Sequence, residues 1–175
     1  YGIKTEYQSY GNILDNLIIN NGSHGVYFYQ VDQGNCNLRN NTIDGHSNYG
    51  VYWLSSNWSS YTLTAKNNSL TNNNYGIYCE NGGSYNTITY NNSWNNNNSD
   101  YGGNIPSGTG NLTNVNTNGT VCDVYNNISE NPNYVDPDNG DFNLQPTSPN
   151  IDAGDPTFTD LDVTPSDIGV FSFLQ

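Results

Sequence analysis

The sequence predicts an all-β chain wound as a parallel β-solenoid, and three observations predict it. A phrase built on one glycine recurs about every 25 residues, a second built on asparagine recurs in phase with it, and the apolar residues within both alternate with period two. The first phrase reads Tyr1-Gly2-Ile3, His24-Gly25-Val26, Tyr49-Gly50-Val51, Tyr75-Gly76-Ile77 and Tyr101-Gly102-Gly103, with glycines 23, 25, 26 and 26 residues apart. The second reads Asp15-Asn16-Leu17-Ile18, Asn40-Asn41-Thr42-Ile43, Asn67-Asn68-Ser69-Leu70 and Asn91-Asn92-Ser93-Trp94. Two phrases in phase make one coil of about 25 residues, and no helical period fits either phrase.

Each element follows from these phrases. After each glycine, Gly-Val-Tyr-Phe, Gly-Val-Tyr-Trp and Gly-Ile-Tyr-Cys alternate as strands do. Val26, Val51 and Ile77 are expected in one buried column and Phe28, Trp53, Cys79 and Ile105 in another. Tyr27, Tyr52 and Tyr78 then form an outward ladder, a candidate surface for stacking carbohydrate rings, although such ladders also serve simply to support strands. On the other strand Ile13, Leu38 and Ala65 precede Ile18, Ile43, Leu70 and Trp94 by five residues. An odd step turns an alternating strand over, so the chain bends there, and the bend carries asparagine. Asn16, Asn41, Asn68 and Asn92 are therefore expected to stack about 4.8 Å apart as an internal amide ladder that satisfies buried turn groups.

Composition agrees and narrows function. Hydrophobic residues are 33% and charged residues 11%, while aromatics reach 13%, so a thin core is available. The net charge of −13 excludes nucleic acid and anionic membrane surfaces as natural partners. From Asp123 onward the chain carries ten acids and no base. No apolar run is long enough to span a membrane. Lacking Met and beginning at Tyr1, the sequence reads as a processed or excised product, and its low Lys with high Asn, Thr and Tyr reads as extracellular. Cys36, Cys79 and Cys122 are odd in number and form no CxxC, which argues against a disulfide scaffold or a zinc site and leaves their pairing open.

Residues 12–105 resemble the Asn-x-Ile-x-Asn-Asn-x-Ile…Gly-Ile-x-Leu coils of right-handed parallel β-helix repeat proteins, the pectin-lyase-like superfamily. The tail phrases Asn131-Pro132-Asn133-Tyr134-Val135-Asp136-Pro137, Asn139-Gly140-Asp141-Phe142-Asn143-Leu144, Ser148-Pro149-Asn150-Ile151-Asp152-Ala153-Gly154-Asp155 and Asp167-Ile168-Gly169 are similar to the closing segment of secreted members. The resemblance implies a right-handed helix of about four to five coils, roughly 20–25 Å long, over residues 1–122, with 123–175 an irregular acidic segment closing or wrapping one end. It implies no single function, because the superfamily spans lyases, hydrolases, epimerases and adhesins. Members close their first coil with a cap, whereas this sequence begins inside a strand phrase. That start suggests end-to-end self-association or a longer parent chain.

Four sets of residues are candidates for chemistry. Asp44 and His46, with Arg39 before them, are the nearest echo of an acid–base site, but no paired Asp, Gly-His-Gly or Arg-x-Lys accompanies them. Asp152, Asp155, Asp160, Asp162 and Asp167, around Gly154 and with no basic neighbour in sequence, are candidate Ca²⁺ ligands, Asp160, Asp162 and Asp167 first. Asn-x-Ser/Thr sequons stand at Asn21, Asn40, Asn57, Asn67, Asn91, Asn97, Asn111, Asn118 and Asn127. Asn40, Asn67 and Asn91 should lie in one column outside the ladder, where glycans would form a stripe. His24 holds a position otherwise filled by Tyr and reads as a turn residue. The expected function is an extracellular structural or adhesive module, glycosylated, stacking head to tail and meeting glycans or polysaccharide. The alternative is a polysaccharide lyase or hydrolase, or a fragment of one.

Overall fold

The computed structural model describes residues 1–7, 11–31, 34–55, 61–81 and 85–174. It is a parallel β-solenoid of about four coils with essentially no helix. Strands β1 (Ile3–Glu6), β4 (Val26–Val31), β7 (Tyr49–Ser55), β10 (Tyr75–Cys79) and β13 (Ser99–Gly103) form the first sheet in that order. A second sheet stacks β2 (Gly11–Leu14), β5 (Cys36–Arg39), β8 (Leu63–Lys66) and β11 (Thr87–Thr89). A third stacks β3 (Leu17–Ile19), β6 (Thr42–Asp44), β9 (Ser69–Thr71) and β12 (Asn92–Trp94). Each strand pairs in parallel with its equivalent one coil away, so the backbone bonds run along the solenoid axis.

The core consists of the stacked inward columns. Val26, Val51, Ile77 and Tyr101 are in register, as are Ile13, Leu38, Ala65 and Ile88, and all are buried. Phe28 packs edge-on against Trp53 at 5.5 Å. The glycine column exists because of close approach. A Cβ on Gly25 would lie 2.7 Å from the Gly50 carbonyl oxygen, and one on Gly50 2.8 Å from that of Gly76.

The fourth coil departs from the expected phase. Ser99-Asp100-Tyr101-Gly102-Gly103 pairs with Tyr75-Gly76-Ile77-Tyr78-Cys79, so Asp100, not Gly102, lies opposite Gly76, and Gly103, not Ile105, follows Cys79. On the third sheet Ser93, not Trp94, continues the Ile18–Ile43–Leu70 column. A serine is tolerated inside because its Oγ donates to the Asp100 carbonyl and accepts from Asn96 Nδ2, both at 3.0 Å.

The coil strands end at Gly103, well short of residue 122. Residues 106–128 close that end: Tyr101 of the last coil and the segment's own Cys122 and Ile128 are buried there, and β14 (Asn114–Val115) pairs with β15 (Val121–Cys122) antiparallel. The rest of the chain lies along the flank of the solenoid, not over its end. Its contacts run from Thr42 through Lys66, Asn67 and Ser69 to Asn92, that is, across three coils. A hairpin of β16 (Tyr134–Asp136) and β17 (Asp141–Leu144), joined by one 3₁₀ turn at Pro137–Asn139, lies within this segment.

Candidate functional site

The outer face of the first sheet carries two adjoining columns of rings. Register places Lys4, Tyr27, Tyr52 and Tyr78 in one. Tyr1, His24, Tyr49 and Tyr75 form the other, with successive centroids 5.0, 5.1 and 5.1 Å apart. The columns also touch each other, Tyr49 and Tyr52 at 4.8 Å. These distances follow from the strand spacing, which brings like side chains on neighbouring coils to ring-contact range. Tyr52 and Tyr78 lie 5.9 Å apart with planes only 5° from parallel, and Tyr49 and Tyr75 differ by 21°. Such rings spend their faces on one another. What they offer to solvent is ring edge and hydroxyl.

The face is nearly neutral. Burial raises the phenols of Tyr27, Tyr49 and Tyr52, and at Tyr52 the hydrogen bond donated to Glu80, at 3.0 Å, raises it further. The hydroxyls therefore remain O–H donors at ordinary pH. Burial also lowers His24 to about 4, so its ring is uncharged near neutrality. Lys4 pairs with Glu6 and lies 5.5 Å from the Tyr27 ring centre.

Two asparagine ladders hold the coils in register. In the first, each Nδ2 donates to the next Oδ1, from Asn16 to Asn41, Asn68, Asn91 and Asn127, at 2.9 to 3.0 Å. The fourth member is Asn91, not Asn92, because the ladder step there is 23 residues. Asn127 Nδ2 then donates to the buried Asp123 carboxylate at 2.9 Å. The residue before each ladder position (Asp15, Asn40, Asn67, Tyr90, Asn126) has positive φ, the left-handed turn that asparagine tolerates well. The second ladder runs Asn21, His46, Asn73, Asn96, five residues further on in every coil. It ends where Asn96 Nδ2 donates to Asp100 Oδ1 at 2.7 Å. Its signal was the repeated step of 25, 27 and 23 residues, shared with the first ladder.

His46 is thus a ladder member. It is 2% exposed, its Nε2 is 3.3 Å from Asn21 Nδ2, and burial lowers its pKa. Asp44 lies on the third sheet beneath the flanking segment, where its Oδ1 accepts from Thr71 Oγ1 at 2.6 Å and Asn72 Nδ2 at 2.7 Å. Burial raises its pKa. Each side chain is engaged with its own neighbours in the adjacent coils, so the two do not form an acid–base pair.

Among the tail acids Asp155 stands apart, whereas Asp160 adjoins Asp162, and both Asp160 and Asp152 lie near Asp167. Asp155 does have a basic neighbour, Lys66, whose ammonium is 2.7 Å from its Oδ2. Asp167 receives the backbone N–H groups of Asp152 and Phe173, and Asp162 receives the backbone N–H and the side-chain hydroxyl of Thr164. Asp160 has a raised pKa from burial and from Asp162 beside it. Among the described residues no three His, Cys, Asp or Glu side chains converge in a way that would hold a metal ion. Cys36, Cys79 and Cys122 are buried free thiols, and burial raises each.

The sequons divide by burial. Asn67, Asn91 and Asn127 are fully buried, so the expected stripe through Asn40, Asn67 and Asn91 has no surface to occupy: Asn91 is a ladder member and Asn67 lies under Gly154 and Asp155. Asn21 is in the second ladder, and Asn40 donates to Asp15 at 3.0 Å. Asn97, Asn111 and Asn118 are exposed, though Asn118 Nδ2 donates to the Ile151 carbonyl. Asn57 lies outside the described residues.

Comparison with curated proteins and with solved structures gives no match. Residues 1–60 match the family model for a right handed beta helix region. The same coil is carried on in register to Gly103, so the structure is a right-handed parallel β-solenoid of about four turns, an architecture that fits the β-helix family and the pectin-lyase-like superfamily.

Proposed function

We propose that the chain is an extracellular structural and adhesive module that holds neutral polysaccharide against the tyrosine face of the first sheet. The carrying observation is the pair of ring columns spanning four coils, whose rings lie about 5 Å apart, centre to centre, and hold one another by mutual contact. Pre-ordered donors lose little entropy on binding. Because the ring faces are used within the columns, the contact is through hydroxyls at the ring edges, with sugar stacking secondary. Lyase or hydrolase chemistry would need an acid and a base facing one bond, and Asp44 and His46 are occupied within the coils. A preceding coil of a longer chain would occupy the edge of the first coil as well as a second copy would, so the adhesive reading does not call on end-to-end stacking.

The test is affinity electrophoresis through gels containing hydroxyethyl cellulose, galactomannan, xylan or soluble starch, with polygalacturonate as the anionic control. Retardation by at least one neutral polymer is expected. Changing Tyr27, Tyr49, Tyr75 and Tyr78 together to Phe keeps the stacking, removes four hydroxyls, and should weaken that retardation about tenfold or more. Equal retardation of wild type and variant, or none by any neutral polymer, would overturn the proposal.

A further inference from the structure

The third sheet carries an outward column of Ile19, Asp44, Thr71 and Trp94. Trp94 is half-buried there, and unlike Trp53 it has no ring packed on it among the described residues. A tryptophan on an outer strand position is costly to leave wet. Facing it across a cleft of about 280 Å³ is the flanking hairpin, with Pro132, Tyr134 and Pro137 on the opposite wall. The hairpin is fastened beside the cleft. The Tyr134 hydroxyl is 2.6 Å from Ser69 Oγ, and Asn92 Nδ2 donates at 2.6 Å to Asn150 Oδ1. Both walls are therefore preformed.

The polar lining is made of amides whose outer contacts fix their orientation. Asn133 Nδ2 donates to the Thr147 carbonyl at 3.1 Å and Gln145 Nε2 to the Tyr134 carbonyl at 2.8 Å, which leaves Asn133 Oδ1 and Gln145 Oε1 as acceptors. Asn131 Oδ1 accepts the Asn133 N–H at 3.0 Å, leaving its Nδ2 as a donor. Behind them Asp44 receives Thr71 Oγ1 and Asn72 Nδ2 and holds that wall in place.

We propose that this cleft binds one neutral pyranose residue of a glycan, with Trp94 against the apolar side of the ring and the amides on its hydroxyls. Size supports this, because 280 Å³ lies at the low end for small-molecule sites and suits one ring rather than a chain. Chemistry supports it too: one indole with several uncharged donors and acceptors matches a ring that has an apolar face and a hydroxylated rim. Charge selects the class. No Lys or Arg lines the cleft, and Asp44, Asp136 and Asp138 lie on the elements around it, so uronates and sulfated sugars are repelled. The site is distinct from the tyrosine face, which belongs to another sheet, and stands whether or not that face binds polymer.

The experiment titrates the whole chain with methyl glycosides of glucose, galactose, mannose and xylose, followed by tryptophan fluorescence and saturation-transfer NMR, with methyl glucuronide as the charged control. The expected result is a saturable fluorescence change with at least one neutral glycoside and a Kd of about 1 mM. Asn133→Ala and Gln145→Ala should each weaken binding about threefold or more. Trp94→Leu should abolish both the fluorescence change and the NMR transfer, while its far-UV spectrum and melting show that it folds. The variant with Tyr27, Tyr49, Tyr75 and Tyr78 changed to Phe, which disables the tyrosine face, should bind the glycoside in this cleft as the wild type does, which separates the two sites. Saturation transfer that persists in Trp94→Leu, equal binding of the glucuronide, or no response to about 50 mM of any neutral glycoside would overturn the proposal. Binding of a proline-rich peptide in place of sugars would overturn the ligand class.

Discussion

Removing the Asn68 side chain is the sharpest test of what holds the coils together. Asn68 is fully buried, and its amide makes five hydrogen bonds. Its Nδ2 donates to the Leu38 and Lys66 carbonyls and to Asn91 Oδ1, each at 2.9 Å. Its Oδ1 accepts Asn41 N–H at 3.1 Å and Asn41 Nδ2 at 2.9 Å. Asn68→Ala deletes all five and strands the buried Asn41 N–H, whereas Asn41 Nδ2 keeps the Ile13 and Arg39 carbonyls. At about 1 kcal/mol net per bond the loss is about 4–5 kcal/mol, a large share of the roughly 5–15 kcal/mol that holds an ordinary domain. Urea unfolding followed by circular dichroism reads this directly. Asn98→Ala is the control, since Asn98 is exposed and its side chain donates one bond to Asn74 Oδ1 at 2.9 Å; it should change stability by less than about 0.5 kcal/mol. If Asn68→Ala costs less than about 1 kcal/mol, the ladder is a consequence of coil stacking and not its cause.

Three further outcomes follow from local geometry. Gly76→Ala places a Cβ against Ser93 Oγ and the Asp100 carbonyl, so it should destabilise by about 2–4 kcal/mol, while Gly11→Ala meets nothing within 4 Å and should be neutral within about 0.5 kcal/mol in the same urea assay. Lys66→Met leaves Asp155 without its ion pair, the only one recorded between coil and flank among the described residues, and thermolysin should then cut near the exposed Leu161 and Val163 several-fold faster. Burial would raise Asp155, but Lys66 and Thr157 outweigh it and hold its carboxyl below the ordinary range. The contact is thus complete above that range and lost as pH falls through it, so acid should speed the same cuts in the wild type. Asp167 is the reverse case. Burial, with Asp160 and Asp152 nearby, raises it from 3.8 to about 6, so its folded form prefers the proton and stability declines as pH rises from about 4 to about 6. Asp167→Asn should therefore gain about 1–2 kcal/mol on wild type across that interval, measured by unfolding at several pH values, and a pH-independent difference would refute the assignment.

The fold was legible because its phrases are punctuated by residues with no substitute at their positions. Glycine marks where coils approach within Cβ distance, and Asn-Asn marks a left-handed turn followed by an inward amide. Phase was legible only while those marks stayed unique. In the fourth coil an extra asparagine follows Asn91, and Gly102 lies two positions past the true equivalent of Gly76, so Asn92, Trp94 and Ile105 were placed one or two residues out of register. The same displacement hid Trp94 as a surface residue. The second ladder went unseen because His46 takes an asparagine position and because asparagine is so frequent that a further column does not stand out. Asn127 is buried as the last rung of the first ladder, whereas burial of Asn67 was illegible for another reason. It depends on a flank that docks across three coils through contacts between residues 80 or more positions apart, such as Asn67 with Asp155, which no local pattern encodes.

The asparagine ladders have a polarity that the sheets around them lack. Successive peptide groups of a strand point alternately up and down the solenoid axis and so cancel along it, but every ladder amide points its N–H toward the next coil, so the small dipoles add along the axis as peptide dipoles add along a helix. Both rows present their positive end at the same end of the solenoid, and there each meets a carboxylate, Asp123 or Asp100. The rod therefore has an internal compass. A coil copied into its middle inherits the right sense and simply extends the series, whereas one added beyond those two acids would have to displace them. Lengthening of this solenoid by duplication is thus directional, with growth permitted upstream of the acids and terminated by them.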